Sequence, residues 1–538
     1  MHIVKIAAFC VLLALGSSAQ AEERLGTVDF KVSCASTVRA PFNRGVALLH
    51  DFWYDEARRQ FDAIAKRDPK CAMAHWGIAM SLYHQIWNRP DEDTLVKGRR
   101  EMHLAVGAKS ARERGYIAAL KSFYLPQKAD YMTRVTAYSS AMQELYRRFP
   151  DVDTGAFYAL SVLAAKASDD SSIGPETRAE GLLEPMFAKY PDNPGVVHYL
   201  IHACDTPALA PKGLAAARHY GEIAPSGAHA AHMPGHIFAR LGLWSEDISA
   251  NLASVADAKK TRHEHPGEGF DQFHASDFLL YAYLQSGQEG EAKQLVDDNE
   301  KLISDFKGMP VMSGMGGMFD FYRSEFPVIY ELEMRDWQKA AGLAVDEQGR
   351  DEPQMLTLWA RIIADGHLKD AKAAKRDADQ YQAFVAKVKA SDHAYQVEGT
   401  GHQIAALEIA GWSAFATGDG TQALEKLRQA ADLQDQVGQG EVDIPAREML
   451  ADALLELNRP GEALAEYQTA LKLSPNRFNG LYNAGRAAEA LGKRDQAAEY
   501  YAALMQSTAG GEHSTRAEFR HVKEFAAANP ATATTKGT

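Results

Sequence analysis

Cysteine is scarce, with four in 538 residues. They stand alone at Cys10, Cys34, Cys71 and Cys204, so no CxxC pair exists for a zinc ribbon or a thioredoxin-like centre. Basic residues are outnumbered, 58 against 71 acidic, and the formal net charge of −13 argues against a general binder of nucleic acid or anionic membranes. Nucleophile elbow, phosphate loop and Rossmann glycine pattern are all missing, which removes several common enzyme classes by motif. Past the N-terminus no apolar run reaches the roughly 18 residues of a membrane span. The exception is the start. Lys5 precedes the apolar run Ile6 to Leu15, and Ala19-Gln20-Ala21 is a small-x-small site. This reads as a secretory signal peptide cleaved after Ala21, giving a periplasmic or secreted protein without a membrane span. Cys10 leaves with it. In an oxidising compartment Cys34 and Cys71 are candidates for a disulfide, with Cys204 left free.

What is abundant is alanine-rich amphipathic helix. Turn signals punctuate it: "LGLW", "SGQEGEA", "ATGDGTQA", "LNRPGEA" and "LGKRDQAA". A 34-residue spacing recurs, from His198 to His232, from His202 to His236 and from Pro191 to Pro225, and Gly174 to Gly242 is twice that. A helix–turn–helix unit of this period resembles the tetratricopeptide repeat. The clearest copies are 445–478 and 479–512, with weaker ones at 38–71, 160–280 and 404–437. The stretches "HYLIHACD" (198–205), "HAAHMPGHIFARLGLW" (229–244), "HASDFLLYAYLQ" and "FPVIYELEMRDWQKAAGLA" are similar to a family of exported bacterial tetratricopeptide proteins. That similarity brings no activity with it.

The resemblance implies an all-α, right-handed superhelix. The organisation it suggests is a signal peptide (1–21), an N-terminal segment (22–39), a first solenoid block (40–345), a helical connector (346–395), C-terminal repeats (396–512) and a C-terminal helix with a disordered tail (513–538). It also implies that the first helix of each repeat lines a concave groove, through its second, fifth, ninth, twelfth and thirteenth slots. With Gly242 as the turn glycine in slot fifteen, His229, His232 and His236 take slots two, five and nine. One period earlier, His198 and His202 take slots five and nine, and Asp205 takes slot twelve. With Gly287 as the next turn glycine, His274, Asp277 and Tyr281 take slots two, five and nine.

Side chains at i and i+4 lie about 5–6 Å apart at Cβ, a spacing at which two imidazoles chelate one ion. Adjacent helices pack about 8–10 Å apart, so equivalent slots converge. His198, His202, His232 and His236 are therefore the expected metal ligands, for zinc, copper or iron. Asp205, His229, His274, Asp277 and Tyr281 are candidates to complete the shell or support it. A histidine clamp for an anionic or peptide ligand, or a purely structural hydrogen-bond network, are the other readings. Pro234 leaves two options: a kinked helix, or a helix that starts at this residue. Cys204 falls in slot eleven and reads as a buried thiol.

Trp76, Met80, Tyr83 and His84 take groove slots in "AHWGIAMSLYHQIW" and read equally as groove lining or as packing. Glu448, Asp452, Tyr482, Arg486 and Glu489 give the C-terminal copies a mixed polar face suited to a peptide or protein partner. Met309, Met312, Met315 and Met318 form a thioether-rich loop, read as packing against apolar surface in preference to Cu(I) binding. His263, Glu264 and His265 lie on an insertion beside the histidine strip. Three functions follow: an exported scaffold that captures a peptide or protein, a metal-binding protein or metalloenzyme, or a handler of copper or zinc.

Overall fold

The computed structural model describes residues 23–86, 89–167, 170–261, 268–306, 316–346, 350–391, 397–509, 512 and 514–529. Residues 1–22, with the expected signal peptide, and His263–His265, Met309, Met312, Met315 and the tail from 530 lie outside the described residues. Among those described there are 25 α-helices, one short 3-10 helix and no strand. The chain is an all-α solenoid of successive helix pairs, and 346–395 contributes another pair, Asp351–Leu368 and Ala371–Lys389.

Local chemistry sets the helix boundaries. Asp130, Asp151, Asn193, Asp370 and Asp419 cap helix N-termini by accepting a backbone N–H three residues on. The turn residues Gly242, Gly287, Gly418 and Gly492 have positive φ, between 63° and 84°, where a glycine pays no Cβ penalty.

The solenoid curls tightly enough to meet itself twice. In the first turn, helix Arg39–His50 packs on helix Pro194–Cys204. Tyr220 donates to Asp51 there at 2.7 Å, and His198 Nδ1 donates to the His50 carbonyl at 2.5 Å. Gly195 permits this approach, since a Cβ on it would lie 2.3 Å from His50 Nδ1. In the second turn, helix Phe478–Ala490 packs on helix Glu268–Gln285. The fully buried Arg477 pairs with Glu333 at 2.8 Å and Glu448 at 2.9 Å.

The N-terminal segment lies against the first turn as an extended strap. Gly26 N donates to Ile223 O at 2.9 Å, and Thr27 N to Asp192 O at 2.7 Å. Phe30 then inserts among Phe42, Trp76 and Tyr116, with ring centroids 5.1–5.7 Å apart. The strap is tied down by a Cys34–Cys71 disulfide.

This closure corrects the groove reading of the first block. Trp76, Met80 and Tyr83 are at most 2% exposed and lie in the core. Phe30 covers Trp76, Tyr138 OH reaches Met80 Sδ at 3.8 Å, and Phe123 stacks on Tyr83 at 3.9 Å. The same slots that face a groove in an open superhelix face the opposite wall in one this tightly wound. His84 is half-buried and stacks on Tyr54 at 4.3 Å. At the C-terminal end Tyr482 packs against His521 with centroids 5.8 Å apart, and Arg486 is exposed.

The disulfide closes a loop of 37 residues. Loop-closure entropy gives such a link about 4 kcal/mol. Replacing Cys34 and Cys71 together by serine lowers the urea midpoint accordingly, measured by circular dichroism.

Candidate metal centre

Three consecutive first helices, Pro194–Cys204, Ala228–Leu241 and Glu268–Gln285, lie side by side where the two turns of the solenoid meet. They bring six imidazoles together in two groups of three. His198, His202 and His229 form one group, and His232, His236 and His274 the other, with one nitrogen of each ring within 4.8 Å of the others in its group. His198 Nε2 and His229 Nε2 are 3.2 Å apart, and His232 Nε2 and His236 Nε2 are 3.0 Å apart. Two nitrogens bound to one tetrahedral ion at about 2.1 Å sit about 3.4 Å apart. The groups adjoin, since the His202 and His236 ring centroids are 6.4 Å apart.

The proton inventory is informative. His198 Nδ1 faces a carbonyl, which only accepts, so Nδ1 carries the proton and Nε2 presents its lone pair. His232 Nδ1 faces Asn251 Oδ1 at 2.6 Å. Asn251 is oriented by its own Nδ2, which donates to Asp247 Oδ1 at 2.7 Å. His232 Nε2 is therefore also a lone pair. His236 Nδ1 lies 3.0 Å from Asp205 and 3.1 Å from Glu441, so it too donates outward. In a neutral His236, two lone pairs would face one another across 3.0 Å. A cation must lie between them, either a proton on His236 or a metal ion.

Electrostatics agrees with this assignment. Burial pushes His198 and His274 down to about 3 and holds His202, His229 and His232 well below the ordinary histidine value. All five are neutral at pH 7, the form that ligates metal. His236 is the exception. Burial opposes its charge, yet Asp205 and Glu441 raise it to about 10. Asp205 is held well below the usual range against its burial by Arg240 and His236, while burial and the Asp205 charge raise Glu441. His202 Nε2 is buried with no hydrogen-bond partner.

Each triad has an aromatic wall. Phe52 packs on His198, His202 and His229 at 4.5–5.6 Å, and Phe278 packs on His232, His236 and His274 at 4.8–5.2 Å. Phe52 holds a left-handed backbone with φ of 57°, a conformation that costs a non-glycine residue about 1 kcal/mol or more.

The "HMPGH" stretch is a single helix, Ala228–Leu241, with Pro234 inside it. Gly235 is required by packing, because a Cβ there would lie 2.8 Å from Asp247 Oδ1 and 2.9 Å from Asn251 Nδ2. Its absence lets helix Trp244–Thr261 bring Asn251 to His232.

The expected quartet is thus divided: His198 and His202 join His229, while His232 and His236 join His274. Asp205 sits behind His236 and pairs with Arg240 at 2.9 Å. Asp277 and Tyr281 stand outside both groups. Asp277 is raised to about 7 by burial and by the neighbouring Asp443 and Glu441, and Tyr281 donates to the Asp443 carbonyl at 2.9 Å. Tyr281 thereby anchors the loop that carries Glu441. Sequence reading missed Glu441, which lies 205 residues from His236. It also missed His50, Phe52 and Asn251. The only trace of Glu441 in the sequence is the "GQGEVDIP" break between two regular repeats. Cys204 is free and buried, pushed up to about 12 by burial, as its slot implies.

Stability of the metal-free protein should fall in acid. The unfolded chain takes up protons on these histidines below about pH 6.5, and the folded chain does not until about pH 3 for His198 and His274. Each such histidine therefore removes up to about 1.4 kcal/mol per pH unit across that window. His236 acts oppositely: its contribution is full below pH 6.5 and is lost as pH rises through about 10. Thermal melts from pH 7 to 4 on the apo-protein, compared with a His198→Gln variant of shallower slope, check this. Gly235→Ala, by pushing Asn251 away, should lower the melting temperature by several degrees.

Residues 54–92 and 448–512 match the tetratricopeptide repeat family. No curated protein matches the chain. Two solved structures of human IFIT1 dimers, with m7Gppp-AAAA and with PPP-AAAA, are similar at 11% and 10% identity and TM-scores of 0.38 and 0.37, each over 81% of this chain and 90% of theirs. At that distance the likeness says nothing about ligands. The chain carries tetratricopeptide repeats within an all-α helical-repeat fold.

Proposed function

We propose that this protein binds two transition-metal ions side by side, one in each histidine triad. The observation that supports it is the pair of facing nitrogens at His232 and His236, where the outward hydrogen bonds leave both inward nitrogens to share one cation. The buried, unpartnered Nε2 of His202 extends the same reading to the other triad. A purely structural network would give each ring nitrogen a partner.

Six imidazoles, five of them neutral and His236 giving up its proton to the ion, suit zinc, copper or iron. Asp205 and Glu441 would orient His236 and raise its basicity, Asn251 would do so for His232, and the His50 carbonyl for His198. Three protein ligands per ion leave a coordination position open, as in catalytic sites, which favours a metalloenzyme over pure storage. The signal-like N-terminus and the Cys34–Cys71 disulfide support function outside the cytoplasm. Capture of a partner protein, a use common to repeat scaffolds, then belongs to the exposed C-terminal surface around Arg486.

Elemental analysis of protein purified without an affinity tag tests the proposal. Two equivalents of metal per chain are expected. His202→Ala and His236→Ala should each lose about one, and a chelator should lower the melting temperature of the wild type. Protein that carries no metal, and whose melting temperature no added zinc, copper or iron shifts, would sink the idea.

A further inference from the structure

The inner faces of the second solenoid turn do not close completely. A cavity of about 540 Å³ remains between helices Gly316–Glu333, Asp351–Leu368, Ala371–Lys389, Thr400–Ala416 and Gly420–Val437. That volume suits a small organic ligand. One wall is apolar, made by Met355, Trp359, Ile404 and Ile444 among others.

The charged groups of the cavity carry one sign, and its other polar lining is Tyr381, His402 and Gln434. Glu325, Glu352, Glu408 and Asp443 line it, and among the described residues no lysine or arginine does. Glu408 is 4% exposed and accepts from the Trp359 indole at 2.8 Å. Glu325 Oε2 is buried with no hydrogen-bond partner. Asp443 accepts from Gly440 N at 3.1 Å. Nearby cations are committed elsewhere: Arg477 to Glu333 and Glu448, Arg240 to Asp205, and Arg335 to Asp452. Burial accordingly raises Glu408 to about 8 and lifts Glu325.

Glu352 and Asp443 are exposed, but Glu408 and the Oε2 atom of Glu325 are buried without a counter-charge, which is costly. A core that needed only packing would hold leucine here. A bound cation would favour the ionised form of Glu408 and Glu325, the apolar wall would take its carbon body, and the Trp359 face would add a cation–π contact. We infer that this cavity is a binding site for a small organic amine with an apolar or aromatic body, held by Glu408, Glu325 and Asp443.

The site also has a structural link to the histidine centre. On the loop 438–445, Glu441 hydrogen-bonds His236 while Asp443, two residues on, lines the cavity. The inference itself stands on the cavity and does not require metal.

Isothermal titration of the full-length protein with phenethylamine at pH 7 tests it, with phenethyl alcohol and 3-phenylpropionate as neutral and anionic counterparts. The amine should bind, and the other two should bind at least tenfold more weakly. Glu408→Gln, which keeps shape and hydrogen-bonding capacity, should weaken the amine at least tenfold and leave the alcohol unchanged. Ala405→Trp, which fills the cavity, should abolish binding; circular dichroism reports whether either variant folds. His202→Ala should leave amine affinity intact, which separates this result from that of the metal proposal. No binding of phenethylamine at millimolar concentration, equal binding of the alcohol, or unchanged affinity in Glu408→Gln would overturn the inference.

Discussion

A guanidinium in the interior organises this molecule. Arg477 sits where the C-terminal repeats fold back, flanked by Glu333 and Glu448, and it also contacts the hydroxyl of Tyr281. An ion pair this deep gains nothing over well-packed apolar residues, but removing one partner strands a charge. Its effect is positional. It joins helices Gly316–Glu333 and Ala446–Glu456 to the start of helix Phe478–Ala490, and by donating to the Asp443 carbonyl at 3.3 Å it helps hold the loop 438–445 against helix Glu268–Gln285. Without that closure Glu441 would not reach His236, and the two halves of the chain would share no polar centre.

The histidine pairs are a case where hydrogen bonding outside a site decides the chemistry inside it. A carbonyl accepts from His198 Nδ1, an amide oxygen from His232 Nδ1, and two carboxylates share His236 Nδ1. The opposite nitrogens of His198 and His232 are left as donors of electron pairs in an environment walled by Phe52 and Phe278. Charged imidazoles are disfavoured there by desolvation, except at His236, where two carboxylates outweigh it.

Much of this was legible in the sequence because a solenoid is nearly one-dimensional. A period of 34 residues places equivalent slots on neighbouring helices, so the strip containing His198, His202, His229, His232, His236 and His274 follows from counting. What counting does not give is how far the solenoid bends. Trp76, Met80 and Tyr83 occupy groove slots yet lie in the core, because tight curvature brings the opposite wall and the Phe30 strap onto them. The division of the histidines into two triads is likewise a matter of angstroms between helices, which no repeat pattern encodes. Glu441 and His50 come from distant turns of the chain, and their neighbourhood is a product of closure alone. At Pro234 the sequence offered two options, and the continuous helix prevails through packing against Asp247 and Asn251, for which Gly235 makes room.

The strap at residues 24–30 has a further implication for synthesis of the chain. Its backbone partners, Asp192 and Ile223, emerge from the ribosome long after it does. Phe30 must therefore remain unsheltered, or find only its local neighbours Phe42 and Trp76, until some two hundred residues more are available. Contacts of such long sequence separation form late and slowly. The Cys34–Cys71 cross-link spans a far shorter interval of 37 residues. Once oxidised, it is a tether that confines the segment near its berth against Phe42 and Trp76.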